Sequence, residues 1–362
     1  MFENQLKNEA FVAGESEKEP GAVIWQSPSN IAIVKYWGKH GNQLPNNPSV
    51  SFTLSAAHSV TRLEWIPKTG KGLRLRFRFE GREEPAFQAK IEKFLEQNIE
   101  ILPFTEQFDL QIDSQNSFPH SSGIASSASS MSALVMCLLD MEQQLKKTPS
   151  PPDALRQKAS WLSRLASGSA ARSVFAVASL WGRTPSHSKS DDAWAVGLDD
   201  VHPVFKTYRD SILIIHAGTK AVSSRAGHAL MEGNPFADAR YVQAHEHTTR
   251  LLKALQQGDI ESFIQIAEAE ALQLHALMMT SNPSFILLKP GTLAAIEKVR
   301  EFRNTTGTPL SFTLDAGPNL HLLYPQDHET IVSEFIRREL LMYCEEGRWI
   351  SDAVGNGPSR MP

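Results

Sequence analysis

No apolar run in this 362-residue sequence approaches the roughly 18 residues that a membrane-spanning helix needs. Cysteine is scarce. Cys137 and Cys344 are too few for a disulfide framework, and their apolar helical contexts predict plain buried thiols. Positive charge is not in excess either. With a net charge of −4 and a pI near 6.3, no overall basic field draws nucleic acid. Aromatic and basic residues do not interleave along a stripe, which argues against a single-strand binding groove. Several local signatures are also missing. The absence of G-x-x-x-x-G-K-[ST] excludes a Walker-type phosphate loop, and without G-x-G-x-x-G after a strand a dinucleotide fold has no support. G-x-S-x-G is absent, so serine hydrolase chemistry has no anchor. HEHTT at His245 misses the H-E-x-x-H zinc spacing, and its histidines are expected as exposed helix residues. No internal repeat is present.

What is there centres on Asn116 to Leu139, NSFPHSSGIASSASSMSALVMCLL. After Pro119 its first half is almost all Ser, Ala and Gly, and its second half is apolar enough for a buried helix. Small residues leave consecutive backbone N–H groups uncovered, and the helix that follows points the positive end of its dipole at the same place. Ser121, Ser122, Ser126, Ser127, Ser129 and Ser130 add hydroxyl donors. A flexible Ser/Gly linker is the plain alternative, but linkers seldom run straight into an apolar helix. The stretch reads as a nucleotide-phosphate loop.

The chain length predicts about two domains. The first twenty residues carry Glu3, Lys7, Glu9, Glu15, Glu17, Lys18 and Glu19 and no hydrophobic stretch. They predict a disordered tail and not a signal peptide, which makes the expected compartment the cytosol (cytoplasmic). Strands are expected at 22–25, 51–55, 73–79 and 108–114, and a helix at 87–98. The arginines of LRLRFRF at 73–79 read as a solvated strand face. SILIIH at 211–216 opens the second domain, followed by helices at Pro235–Gln257 and Ile260–Met279. Strands at 310–314 and 320–324 and a helix at 329–344 complete a mixed order without βαβ rhythm, so the class is α+β.

Beside the Ser-rich loop stand three further clusters: Asn30, Lys35, Tyr36 and Lys39; Ser167–Gly168–Ser169 with Arg172; and Ser223–Ser224–Arg225. A lone carboxylate, Asp315, lies in a Gly/Pro turn. Taken singly, each reads as an N-cap serine, a surface lysine or a turn aspartate. Taken together, Lys, Arg and Ser donors from several loops are what a polyanionic substrate needs. One Asp among such cations is expected to stay ionised at neutral pH.

In this order PSNIAIVKYWGK, SFPHSSGIASSAS, ASGSAARS, VSSRAGH and FTLDAGPN resemble the diphosphomevalonate decarboxylases, members of the small-molecule (GHMP) kinase superfamily. The resemblance runs from about Trp25 to Gly357. It implies a two-domain GHMP-kinase fold: a ribosomal-protein-S5-domain-2-like ATP-binding domain over 21–207, a ferredoxin-like domain over 208–362, and the active cleft between them. It further implies ATP-dependent decarboxylation of (R)-5-diphosphomevalonate to isopentenyl diphosphate, with ATP as co-substrate and Mg²⁺ bound through ligands the sequence does not name. The implied catalytic set is Asp315 beside the tertiary alcohol, Arg172 gripping the substrate carboxylate, and Asn30 fixing its orientation. Tyr36, Trp37, Gly38, Lys39, Ser167, Gly168, Ser169, Ala170, Ala171 and Arg225 would surround the substrate and its diphosphate, with Arg74 an outlying candidate. Ser121, Ser122, Gly123, Ala125, Ser126 and Ser127 would wrap the nucleotide phosphates, with Ser224 near the γ-phosphate and Lys35 able to serve either ligand. His275 matches a histidine the family often shows before its SNP-like turn, although a packed helix histidine is the favoured reading.

The sequence departs from the family pattern at His120, where many relatives carry Thr, and at Ala171, Ala166 and Ser130; none of these removes a charged group. Rival readings are a decarboxylase acting on 5-phosphomevalonate, a mevalonate-type kinase that does not decarboxylate, and an inactive paralogue. The last would be expected to lack Asp315 or the Ser-rich loop, and both are present. The expected partner is a small-molecule substrate, with no nucleic acid and no membrane; a homodimer is compatible with the sequence.

Overall fold

Alternation of apolar and polar side chains sets the first sheet. In the computed structural model, which describes residues 2–118, 124, 126–148, 150–218 and 224–362 (backbone only at 224 and 225), six strands build most of it. They are Gly21–Ala32 (β1), Ser49–Pro67 (β2), Arg74–Phe79 (β3), Phe108–Asn116 (β4), Ala178–Trp181 (β5) and Ala195–Gly197 (β6). β2 runs for 19 residues and pairs antiparallel with β1 and β4, while its first four residues also pair with β5. Its second half alternates buried Ser59, Thr61, Leu63 and Trp65 with outward Val60, Arg62, Glu64 and Ile66, as a sheet with one covered face should. Its first half, Ser49 to Leu54, is buried on every residue because structure lies on both sides of it.

The helices Pro85–Gln97 (α1), Ser126–Lys146 (α2) and Pro152–Ala166 (α3) cover one face of this sheet. Their core with the strands includes Leu63, Trp65, Phe104, Phe108, Ile112, Leu138 and Leu162, all at 2% exposure or less. The second sheet is wholly antiparallel. It orders Ser311–Thr313 (β8), Leu320–Tyr324 (β9), Arg209–Leu213 (β7) and Trp349–Ala353 (β10) side by side. The helices Ala237–Gln257 (α4), Ile260–Met279 (α5) and Pro290–Thr306 (α6) pack with it. A shared apolar cluster joins the two layers: Ile31, Phe52 and Leu54 of the first sheet meet Ile212 of β7, Ile214 just beyond it and Phe263 of α5. Asp352 on β10 adds a polar tie, accepting the backbone N–H groups of Ser55, Ala56 and Ala57 at 2.9, 2.6 and 2.7 Å.

Two expectations change here. The first twenty residues are not a loose tail in the structure. Phe2–Asn8 is helical, Leu6 is buried, and Phe2 packs on Trp161 and Trp194. Ala13 and Gln107 exchange two 2.8 Å hydrogen bonds. Phe2 and Leu6 stand four residues apart, one helical turn, so the scattered charges face outward while Leu6 is buried and Phe2 packs half-buried against the core. At the other end, Ser359–Met361 (β11) pairs with β1 and so returns to the first sheet instead of staying with the second. Among the described residues no helix is long and apolar enough to cross a membrane. Both cysteines are buried free thiols, as expected.

Candidate active site

Three of the four sequence clusters meet Asp315 where β1 ends. Beyond Ala32 the chain leaves the sheet through Lys35 to Gly38, and the GSAAR turn (Gly168–Arg172) follows α3 directly. The two face a cavity of about 230 Å³ between the layers. Asn30, Lys35, Tyr36, Trp37 and Lys39 line it from the first cluster, and Ser167, Gly168, Ser169 and Arg172 from the turn. Ser127, at the start of α2, and Asp315, just past β8, line it too. Asp315 is the only carboxylate among the described lining residues.

Lys35 is 1% exposed and donates through Nζ to Asp315 Oδ1 at 3.0 Å and to the Ala32 carbonyl at 2.6 Å. Burial pushes its ammonium below the ordinary value, and the Asp315 carboxylate opposes that shift. Behind it, the Lys35 backbone N–H donates to Glu270 Oε2 at 2.8 Å. Glu270 on α5 is fully buried and is also held by Arg240 and by His247, whose Nδ1 lies 2.6 Å from Oε1. The same helix carries His275, 2% exposed, whose Nε2–H donates to the Asp315 carbonyl at 3.2 Å. His275 is therefore packed, as expected, and also fastened to the Asp315 turn. On α4, His245 is exposed as expected, but His247 is buried: of the two HEHTT histidines, only His247 faces Glu270.

Arg172 is 2% exposed. Burial lowers its guanidinium to about 10, so it remains a cation near neutrality. Its Nε donates to Asn30 Oδ1 at 3.3 Å, and Asn30 in turn donates to Ser173 Oγ at 2.8 Å and to the Ser169 carbonyl at 3.2 Å. The guanidinium also lies over the Trp181 ring, 5.7 Å from its centroid. Arg172 Nη1 and the Tyr36 hydroxyl are buried and have no hydrogen-bond partner among the described residues. Two buried donors lining one cavity suit an anionic ligand, because an unpaired buried donor costs about 1–3 kcal/mol. Gly168 lets the Tyr36 hydroxyl approach the turn, since a Cβ there would sit 2.8 Å from it.

A second, apolar cavity of about 120 Å³ opens beside the first and shares Lys90 and Ser127 with it. Phe77, Phe79, Phe87, Ile91 and Met131 form its walls, and Ser126, Ser130 and Asn116 line it too. Lys90 on α1 and His228 line the first cavity, yet AKIEK and RAGH resemble any surface lysine and helix-end histidine, so sequence reasoning passes over both.

Not every expected residue reaches the site. Arg74 is 61% exposed and pairs with Asp109 at 3.6 Å, with Arg76 and Arg78 on its strand also ion-paired. An edge-region strand whose alternate residues face water offers its arginines surface carboxylates instead of the cavity. Ala170 and Ala171 are fully buried in the first core, and their part is to let the GSAAR turn close on it. Gly38 stands between Trp37 and Lys39 of the cavity wall. Ser121, Ser122, Gly123 and Ala125 lie outside the described residues, as do the side chains of Ser224 and Arg225.

Residues 27–192 match the Diphosphomevalonate decarboxylase-like N-terminal domain, and residues 211–353 match the Mevalonate 5-diphosphate decarboxylase C-terminal domain. The chain belongs to the diphosphomevalonate decarboxylase family. Among its relatives, the diphosphomevalonate decarboxylase of Schizosaccharomyces pombe is 28% identical over 84% of this chain and 79% of that protein. The phosphomevalonate decarboxylase of Haloferax volcanii is 25% identical over 84% of this chain and 88% of its own length. The crystal structure of mevalonate diphosphate decarboxylase from Staphylococcus aureus superimposes with a TM-score of 0.81 at 26% identity, covering 95% of this chain and 99% of that one. MDDEF in complex with MVAPP, AMPPCP and magnesium gives a TM-score of 0.79 at 26% identity, with the same coverage. The two-domain GHMP-kinase fold expected from the sequence is thereby met.

Proposed function

We propose that this protein catalyses the ATP-dependent decarboxylation of mevalonate 5-diphosphate, releasing ADP, phosphate, CO₂ and isopentenyl diphosphate. The observation that carries this reading is the single carboxylate, Asp315, set in a cavity with Lys35 and a buried Arg172 whose Nη1 has no partner among the described residues. A tertiary alcohol is a poor nucleophile and a poor leaving group. Asp315 accepts or orients the hydroxyl proton while the γ-phosphoryl group is transferred. The new phosphate then departs with the C–O electron pair, and positive charge grows on the tertiary carbon. The carboxylate C–C bond supplies the electrons of the new double bond, and CO₂ leaves. Arg172 and Asn30 hold that carboxylate in place until the bond breaks. Tyr36, Lys39, Ser167 and Ser169 receive the substrate's phosphates, and Ser126 and Ser127 face those of ATP. The apolar cavity walled by Phe77, Phe79 and Phe87 takes the nucleobase.

Magnesium fits this donor set as an ion carried by the nucleotide. Among the described residues no three His, Cys, Asp or Glu side chains form a metal cluster, and a hard, hydrated cation needs only one carboxylate besides phosphate oxygens. Asp315 and Ser127 are the groups present to hold it, and its chemistry is to neutralise charge on the transferred phosphoryl group. The chain divides functionally at about residue 207, with nucleotide contacts before it and Asp315 after it.

A relative that acts on the monophosphate makes substrate choice the direct test. Purified protein is given ATP with mevalonate 5-phosphate or 5-diphosphate, and CO₂ is followed. Release from the diphosphate at the higher kcat/KM is expected; preference for the monophosphate would overturn the substrate assignment.

A further inference from the structure

His228 lies in the wall of the larger cavity and has no part in the chemistry above. It is 9% exposed, and its imidazole is held between the rings of Tyr36 and Trp37, with centroids 4.3 and 4.7 Å away. Nδ1 accepts the Gly38 backbone N–H at 2.9 Å. Gly38 adopts φ +89°, a conformation that disfavours side chains, and a Cβ there would meet the Tyr241 hydroxyl at 2.2 Å. The backbone donor is thus fixed, and with it the tautomer: Nδ1 is the acceptor, so the proton sits on Nε2. Nε2 makes no hydrogen bond among the described residues. Burial, with Lys39 and Arg172 nearby, pushes the imidazole down to about 3, so it remains a neutral donor at neutral pH.

We propose that His228 is a substrate-binding residue whose Nε2–H donates to a phosphate oxygen of the phosphorylated hydroxy acid in the cavity. This rests on the function proposed above and names a contact that neither the motifs nor the family match assigns. Lys39 and Arg172 supply charge to the same region, and charge alone positions an anion loosely. A neutral N–H on a ring fixed by two aromatic faces and a backbone bond adds direction. Its oxygen partner is required by the same cost that applies to any buried donor left unpaired. A contact made equally in ground and transition states acts on KM and leaves kcat alone.

The test compares His228→Leu with His228→Gln, whose amide retains a donor at the Nε2 position. His228→Leu is expected to raise KM for mevalonate 5-diphosphate roughly tenfold, with kcat and the KM for ATP within about threefold of the parent. His228→Gln is expected to restore most of that loss. Equal impairment of both variants, or no change in either, would overturn the proposal and leave His228 a packing residue. Should His228→Leu fail to fold, the parent protein labelled with ¹⁵N-histidine gives an independent reading. Its Nε2–H resonance should shift on adding mevalonate 5-diphosphate and not on adding ATP alone; an unmoved resonance would contradict the contact. If the parent released no CO₂ at all, the functional reading would fail by itself, whatever the His228 resonance did.

Discussion

Two carboxylates approach Lys35 from opposite sides, and their surroundings differ in every respect. Glu270 is sealed at 0% exposure and is bonded by the Lys35 backbone N–H, by Arg240 and by His247. Asp315 is 27% exposed, is paired with the Lys35 ammonium, and lines the cavity. A buried charge persists only if the protein itself supplies partners, so Glu270 has a full set and none to spare. A charge meant for a ligand needs an open side. The contrast assigns Glu270 to holding α4, α5 and the Lys35 segment together, and it fits the chemical role proposed for Asp315.

The largest expected effect separates the two by rate. Asp315→Ala should lower kcat roughly 10²–10⁴-fold with substrate affinity within a few-fold, measured by steady-state CO₂ release and by calorimetric titration. Glu270→Ala should act on the fold. Leaving Arg240 and His247 buried beside an uncompensated site costs about 3–5 kcal/mol, read from urea unfolding, whereas unchanged stability would remove the distinction. Arg172→Lys comes next. A point charge cannot reproduce the planar fork, and a loss of about 1.5–3 kcal/mol corresponds to roughly 10–100-fold in kcat/KM.

These residues also show how far the sequence could be read. Three of the five motifs mark Asn30, Lys35, Lys39, Arg172 and Asp315, and the fold brings all five residues to one cavity. Glu270, Arg240 and Lys90 carry no such signal. Each sits in ordinary helical sequence, and only packing decides that Glu270 faces Lys35 and Lys90 faces the cavity. Strand lengths were legible only in part for a related reason. The sequence marks 51–55 as a strand, but the observed strand spans Ser49–Pro67, because the polar SAAHS segment inside it is supported by Asp352 from the second sheet. A partner nearly 300 residues away leaves no local trace. The helix at the start of the chain leaves no sequence signal, because two apolar residues among many charges are enough to pack it on the core.

A smaller effect concerns acid. Burial holds His275 at about 4 and His228 at about 3, against an ordinary value of 6.5. Below 6.5 the unfolded chain binds protons that the folded one does not, so stability is full above that pH and falls as pH drops from 6.5 toward 4. Each histidine should remove about 1–2 kcal/mol by pH 5, and His275→Gln, which retains the donor to the Asp315 carbonyl, should flatten the curve of melting temperature against pH. The smallest effect belongs to Arg74. Its exposed pair with Asp109 is worth about 0–1 kcal/mol, and Arg74→Ala should leave turnover within about twofold.

The most direct measurement counts ADP and CO₂ from the same rapid-quench reaction of the parent protein with ATP and mevalonate 5-diphosphate. If one cavity phosphorylates the alcohol and then collapses the product, CO₂ should reach one equivalent per ADP. ADP accumulating without CO₂ would mean that Asp315, Lys35 and Arg172 support phosphoryl transfer alone, and the account given for them would be contradicted.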